Sequence, residues 1–134
     1  MKIMKIESFA DLDTWKEAHR LVLAIYHVTQ SFPKDEQYGL TAQLRRAVVS
    51  ITSNIAEGFS RRSAKEKKQF YYMALSSLTE IQNQILIARD VAYITSKIFS
   101  EIDQQSIRVS RLINGMIKSA PSYEQKRAYA IHNT

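Results

Sequence analysis

Between Ser60 and Tyr71 the chain places Arg61, Arg62, Lys65, Lys67 and Lys68 within eight residues, with Phe70, Tyr71 and Tyr72 directly behind them. Lys and Arg neutralise phosphates, each contact releasing counterions and so adding both affinity and salt sensitivity. Aromatic rings beside them can stack on unpaired bases. A second set of cations, Lys97, Arg108, Arg111 and Lys118 with Gln104, recurs on one side of a helical pattern, away from Val109, and Lys126-Arg127 lies beyond it. The chemistry on offer is polyanion binding, with Arg61, Arg62, Lys65, Lys67, Lys68, Arg108, Arg111 and Lys118 as the candidate contacts. The plain alternative is that these charges only keep a turn and a helix face solvated.

Other chemistries lack their residues. There is no Cys, which removes disulfides, thiolate catalysis and Cys-ligated zinc and fits a reducing cytoplasm. Four-helix bundles hold di-iron through inward Glu-x-x-His pairs. The residues three before His19, His27 and His132 are Lys16, Ala24 and Tyr129, so no pair forms. His19 reads as a packed, hydrogen-bonded histidine and His27 as solvated. No Gly-rich phosphate loop or His-Glu-x-x-His motif occurs. The expectation is a protein without enzymatic activity, metal or cofactor.

The elements that would carry the basic residues follow from periodicity. Asp13 reads as the N-cap of a first helix in which Trp15, Ala18, Val22, Ile25, Tyr26 and Thr29 share a face, ended by Pro33. A second helix, about Tyr38 to Glu57, aligns Leu40, Leu44, Val48, Ile51 and Ile55, with Gly58 where a left-handed stop residue would sit. Ser63 and Glu66 read as a capping box opening a third helix with Tyr71, Ala74, Leu78, Ile81, Ile85 and Ala92 inward. Tyr72 turns outward and is the one ring nominated for stacking. Thr95 or Ser96 caps a fourth helix with Ile98, Ile102, Val109, Leu112, Ile113 and Met116 inward, and Pro121 follows.

Of 134 residues, 45% are hydrophobic and 24% charged, and only three are Gly and two Pro, which favours one domain of a few long helices. The net charge of +6 raises the prior for RNA, DNA or an anionic membrane. No leader or uncharged apolar run of membrane-spanning length is present, so a soluble, cytoplasmic protein is expected. The arrangement expected is all-α, an antiparallel up-down-up-down four-helix bundle over residues 1–120 with a tail over 121–134.

Surplus apolar residues, Leu21, Leu23 and Val28 on the first helix and Met73, Ile87 and Val91 on the third, suit either a wide core or a subunit interface; a closed homo-oligomer is the simplest form of the latter. Ala42, Val49 and Ala56 give the second helix a small-residue face. Arg46, Ser50, Ser53 and Glu57, flanked by Gln43 and Asn54, form its polar stripe, read as hydrogen bonding to a neighbouring helix or subunit. Glu57 opposes the helix macrodipole, so a partner is expected for it, Arg61 locally or Arg46 of another chain.

The motifs Trp15-Lys16-x-Ala18-His19, Tyr38-Gly39-Leu40-Thr41-x-Gln43-Leu44-Arg45-Arg46-Ala47, Ser53-Asn54-Ile55-Ala56-Glu57-Gly58 and Ala74-x-x-Ser77-Leu78-x-Glu80 resemble the four-helix-bundle proteins encoded in intervening sequences of bacterial 23S ribosomal RNA genes, from about Phe9 to Met116. The resemblance implies an antiparallel bundle that assembles as a ring-shaped homopentamer. The accessory proteins of diversity-generating retroelements are similar in architecture and bind nucleic acid and a reverse transcriptase through a basic surface. RNA binding is the usual suggestion for the family. Arg45, Arg46, Asn54, Glu57, Gly58 and Glu80 match its characteristic polar set; Gly58 reads as the helix stop, the others as packing or inter-subunit contacts. Two functions follow as expectations: an RNA-binding homo-oligomer acting on ribosomal or other structured RNA, or a scaffold recruiting a nucleic-acid enzyme.

Overall fold

The computed structural model describes residues 5–120. The expected tail, with Lys126, Arg127 and His132, lies outside the described residues. A 3-10 turn, Phe9–Asp11, precedes α1, Asp13–Thr29. Ser8 Oγ accepts from the Ala10 amide at 3.2 Å, and Asp11 Oδ2 accepts from the amides of Glu7 and Ser8 at 2.9 and 3.1 Å. Those two amides hold the Asp11 carboxyl below the usual carboxylate range. The cap expected at Asp13 is therefore displaced: Leu12 is the N-cap, without a side-chain bond, and Asp13 opens the helix where its charge complements the macrodipole.

A second 3-10 turn, Lys34–Glu36, leads into α2, Leu40–Ser60. Here Glu36 Oε1 accepts from the Leu40 amide at 3.4 Å, passing over Gly39 where a Cβ would stand 2.6 Å from it. α3 spans Ala64–Asp90 and α4 spans Ser96–Ser119. Ser63 Oγ accepts from the Glu66 amide and Thr95 Oγ1 from the Ile98 amide, both at 3.1 Å, so both expected caps are present, although at Ser63 the return bond from Glu66 is not part of the cap.

Each helix packs on its neighbours in sequence and α1 closes against α4, which makes an up-down-up-down bundle. The core runs through Ala18, Leu21, Ile25, Leu44, Val48, Ile51, Ile55, Leu78, Ile81, Ile85, Val109 and Ile113. Because α1 faces both α2 and α4, it buries the arc between them. Leu21 is thus core rather than surplus, while Tyr26 is displaced to the rim, 39% exposed. Ser106 and Ile117 join the α4 core, and Ile98, Leu112 and Met116 sit at its edges.

Polar ties set the register of successive pairs. Arg45 Nε donates to Thr29 Oγ1 at 2.9 Å between α2 and α1, Ser50 and Ser77 share a hydrogen bond at 2.8 Å between α2 and α3, and Gln82 Nε2 donates to Ser106 Oγ at 3.2 Å between α3 and α4.

Two expectations are corrected. Gly58 does not stop α2, which continues to Ser60; no glycine among the described residues has positive φ. Its lack of a side chain serves packing instead, since a Cβ there would stand 2.5 Å from Tyr71 Cε1 and 2.8 Å from Cδ1. Ala92 is not core but exposed, the left-handed residue (φ 67°) that ends α3. The Tyr93 amide donates to Ala88 O at 2.8 Å and the Ala92 amide to Arg89 O at 3.0 Å, a Schellman closure built on alanine where glycine is usual.

Candidate nucleic-acid interface

The Arg61 to Lys68 cluster occupies the α2–α3 junction, and the structure divides it. Arg61 is tied down: Nη2 donates to Glu57 Oε2 at 3.3 Å and the guanidinium lies 4.8 Å over the Phe70 ring, so the local partner expected for Glu57 is the one found. Lys67 turns inward. Its ammonium donates to the carbonyls of Phe59 at 2.8 Å and Gly58 at 3.3 Å and sits 5.6 Å from the Phe59 ring, so it satisfies the C-terminal end of α2, where a cation is favoured by the macrodipole. Arg62 is exposed.

Lys65 and Lys68 are exposed without an ion-pair or hydrogen-bond partner among the described residues. The same holds for Arg108, Arg111 and Lys118 on α4. Since α3 and α4 are antiparallel neighbours, Lys65 and Lys68, at the start of α3, share an end of the bundle with Lys118. Arg111 and Arg108 continue the stripe away from that end along α4. Tyr72, 58% exposed, lies one turn beyond Lys68 on α3. Arg108 and Arg111 also line a groove of about 340 Å³ with Leu112 and with Glu17 of α1, whose carboxylate is held by Arg20 at 2.9 Å.

The resemblance-derived polar set is placed differently. Arg45 is internal glue, its side chain on Thr29, on the Tyr26 carbonyl at 3.4 Å and 4.8 Å over the Tyr26 ring. Asn54 is buried, its amide donating to Ser50 O at 2.8 Å and Ser50 Oγ at 3.1 Å. Arg46 and Glu80 are exposed and unpartnered among the described residues. His19 is half-buried and stacked on Trp15, ring centroids 4.6 Å apart and 12° from parallel, rather than hydrogen-bonded; His27 is exposed, as expected.

Sequence reasoning missed a cleft at the same end of the bundle, about 250 Å³ in volume, walled by Leu12, Phe59, Met116 and Ala120 with Lys67, Tyr71 and Ser119 as polar members. It joins residues from all four helices or their ends, which periodicity in any one helix cannot reveal. Burial pushes the Tyr71 phenol up to about 12. Among the described residues no three of His, Asp and Glu converge as metal ligands, and no helix is long and apolar enough to cross a membrane.

The model of the 23S rRNA-intervening sequence protein family matches residues 10–115, a span that includes all four helices nearly entire. The chain belongs to this family. The bundle is also similar to the crystal structure, at 1.70 Å resolution, of a protein of unknown function from the S23 ribosomal protein family of Bacteroides thetaiotaomicron VPI-5482. The two share 19% identity and a TM-score of 0.73, over 79% of this chain and 96% of that one. At that identity the likeness speaks for the fold alone. No curated protein matches the chain.

Proposed function

We propose that this family member is a non-enzymatic, homo-oligomeric RNA-binding protein that engages ribosomal or other structured RNA through exposed cations on α3 and α4. The observation that carries the reading is the run of exposed, unpartnered cations Lys65, Lys68, Lys118, Arg111 and Arg108. Cations with carboxylate partners must give them up to hold a phosphate, whereas these five keep their charge available to a polyanion. Such a surface reads backbone and shape more than sequence. Changing Arg108, Arg111 and Lys118 together to Glu abolishes binding of a structured RNA while leaving the helical content and unfolding midpoint unchanged. Unchanged RNA affinity in that variant overturns the assignment.

Assembly as a ring-shaped pentamer is part of the proposal. Its support is that α2 is flanked by two different exposed strips, one with Leu23, Tyr26 and Val49, the other with Met73, Ile87 and Val91, each of these residues between 38% and 57% exposed. Two unlike patches suit a head-to-tail contact, which closes as a ring rather than as a twofold dimer. The same strips support a second reading, a scaffold that recruits a nucleic-acid enzyme. Co-purification of one protein partner after nuclease treatment, with no RNA affinity of the bundle itself, favours the scaffold.

A further inference from the structure

The cleft at the α2–α3 junction has a composition that helix packing alone does not require. Its walls are apolar and aromatic, Leu12 from before α1, Phe59 from the last turn of α2, Met116 and Ala120 from the end of α4. Three polar side chains belong to it, of which Ser119 already donates to the Gly115 carbonyl at 2.9 Å. Lys67 brings a cation already anchored on the Gly58 and Phe59 carbonyls. Tyr71 is 2% exposed, yet its hydroxyl has no hydrogen-bond partner among the described residues. The hydroxyl is not sealed in the core: Tyr71 lines the cleft, and its oxygen can meet an acceptor or donor from outside. The raised titration of Tyr71 keeps that hydroxyl protonated, able to donate and to accept, throughout the physiological range.

The geometry points to this cleft as a pocket for a single unpaired nucleobase, held edge-on by the Tyr71 hydroxyl and packed against Phe59 and Met116. This rests on the RNA-binding reading and deepens it. Volume and surroundings choose the occupant. At about 250 Å³ the cleft is smaller than the pockets of roughly 300–1,000 Å³ that take drug-sized ligands, and suits one ring system. The same end of the bundle is cationic: the exposed Lys65 and Lys68 at the start of α3 and Lys118 at the end of α4 are there to meet phosphates while the cleft receives a base. RNA is read in this way where loops and bulges splay bases out to be stacked and hydrogen-bonded on their edges. Gly58 is what lets the Tyr71 ring lie where it lines the cleft, since any Cβ there would displace the ring.

The test is fluorescence anisotropy at one low salt concentration with the full chain and two labelled probes, a short single-stranded oligoadenylate and an abasic ribose-phosphate chain of the same length and charge. The wild type is expected to bind the base-bearing probe roughly tenfold or more tightly than the abasic one, as stacking of a base predicts. Tyr71→Phe keeps the ring against Gly58 and removes only an unpartnered hydroxyl, so its urea midpoint and its affinity for the abasic chain stay unchanged while the preference for bases shrinks several-fold. Ala120→Trp, filling the cleft from the end of α4, removes the preference. Equal wild-type affinity for the two probes overturns the nucleobase pocket and leaves the charge-based RNA surface standing. A preference untouched by both substitutions also overturns it. Failure to bind either probe overturns the pocket, while the RNA reading itself falls only if a structured RNA hairpin added to the same assay also fails to bind.

Discussion

Gly58→Ala and Gly115→Ala make the same chemical change inside two helices of one protein, and the structure gives them opposite signs. In a helix interior Ala is favoured over Gly by about 0.8–1 kcal/mol. At Gly115, on the exposed face of α4, a Cβ meets nothing within 4 Å, so that gain should appear almost whole. At Gly58 the new methyl stands 2.5 Å from Tyr71 Cε1, 2.8 Å from Cδ1 and 3.1 Å from Phe70 Cβ. None of these is the free end of a flexible side chain: the Tyr71 ring is buried and the Phe70 atom is next to backbone. Overpacking of this kind costs about 1–3 kcal/mol, enough to offset the propensity gain and leave a net loss of up to about 2 kcal/mol. With a urea m-value of about 1–3 kcal/mol/M, the midpoint of Gly58→Ala should fall by up to roughly 1 M while that of Gly115→Ala rises by a few tenths. A Gly58→Ala midpoint at or above that of the wild type would refute the packing role of this glycine.

Other substitutions test the remaining elements. Ala92→Gly relieves the left-handed φ at the end of α3 and should stabilise by about 1 kcal/mol in the same urea assay. Ser63→Ala removes the cap on the Glu66 amide and should cost about 1 kcal/mol. Gln84 is 7% exposed with its Oε1 lacking a hydrogen-bond partner among the described residues, so Gln84→Leu should stabilise by about 1 kcal/mol or more, seen as a higher melting temperature. The Tyr71 phenol titrates near 12 when folded against 10 when free; above pH 10 the unfolded chain gives up that proton first. Stability should therefore decline as pH rises from about 10 to about 12, and Tyr71→Phe should flatten that decline.

Much of this fold was legible because long helices with few glycines announce themselves through apolar spacing. Leu44, Val48, Ile51 and Ile55 formed the stripe expected, and so did Ala74, Leu78, Ile81 and Ile85. Caps dominated by one side chain, Ser63 and Thr95, were equally plain. What misled was any residue with two uses. A glycine after a helical run serves as a stop or as a close-approach point, and only the position of Tyr71 decides it for Gly58. Ala92 fits an inward stripe, but the left-handed exit from α3 claims it. Leu21 was assigned to a flank because a wheel drawn for one helix does not know that α1 has neighbours on two sides.

The basic surface was visible as composition but not as availability. Arg61 and Lys67 read like their neighbours in sequence, yet one pairs with Glu57 and the other closes the end of α2. The structure thereby shifts weight from the junction toward Lys65, Lys68 and the α4 stripe. The cleft beside them had no local signal, because its residues are drawn from the ends of different helices.

The central claim is that exposed, unpartnered cations of α3 and α4 bind RNA through its phosphates, and the most direct test is affinity against salt. With five phosphate contacts, log affinity should fall against log salt with a slope near −3.5 to −4.5, roughly a hundredfold or more between 50 and 200 mM. The measurement uses nuclease-treated protein, a ribosomal-RNA hairpin and an unrelated hairpin, with the oligomer's mass determined in the same samples. The account predicts that steep slope, reduced to about −1.4 to −1.8 when Arg108, Arg111 and Lys118 are neutralised to Gln. Absence of binding at the lower salt concentration, or a slope that the triple substitution leaves unchanged, would contradict it.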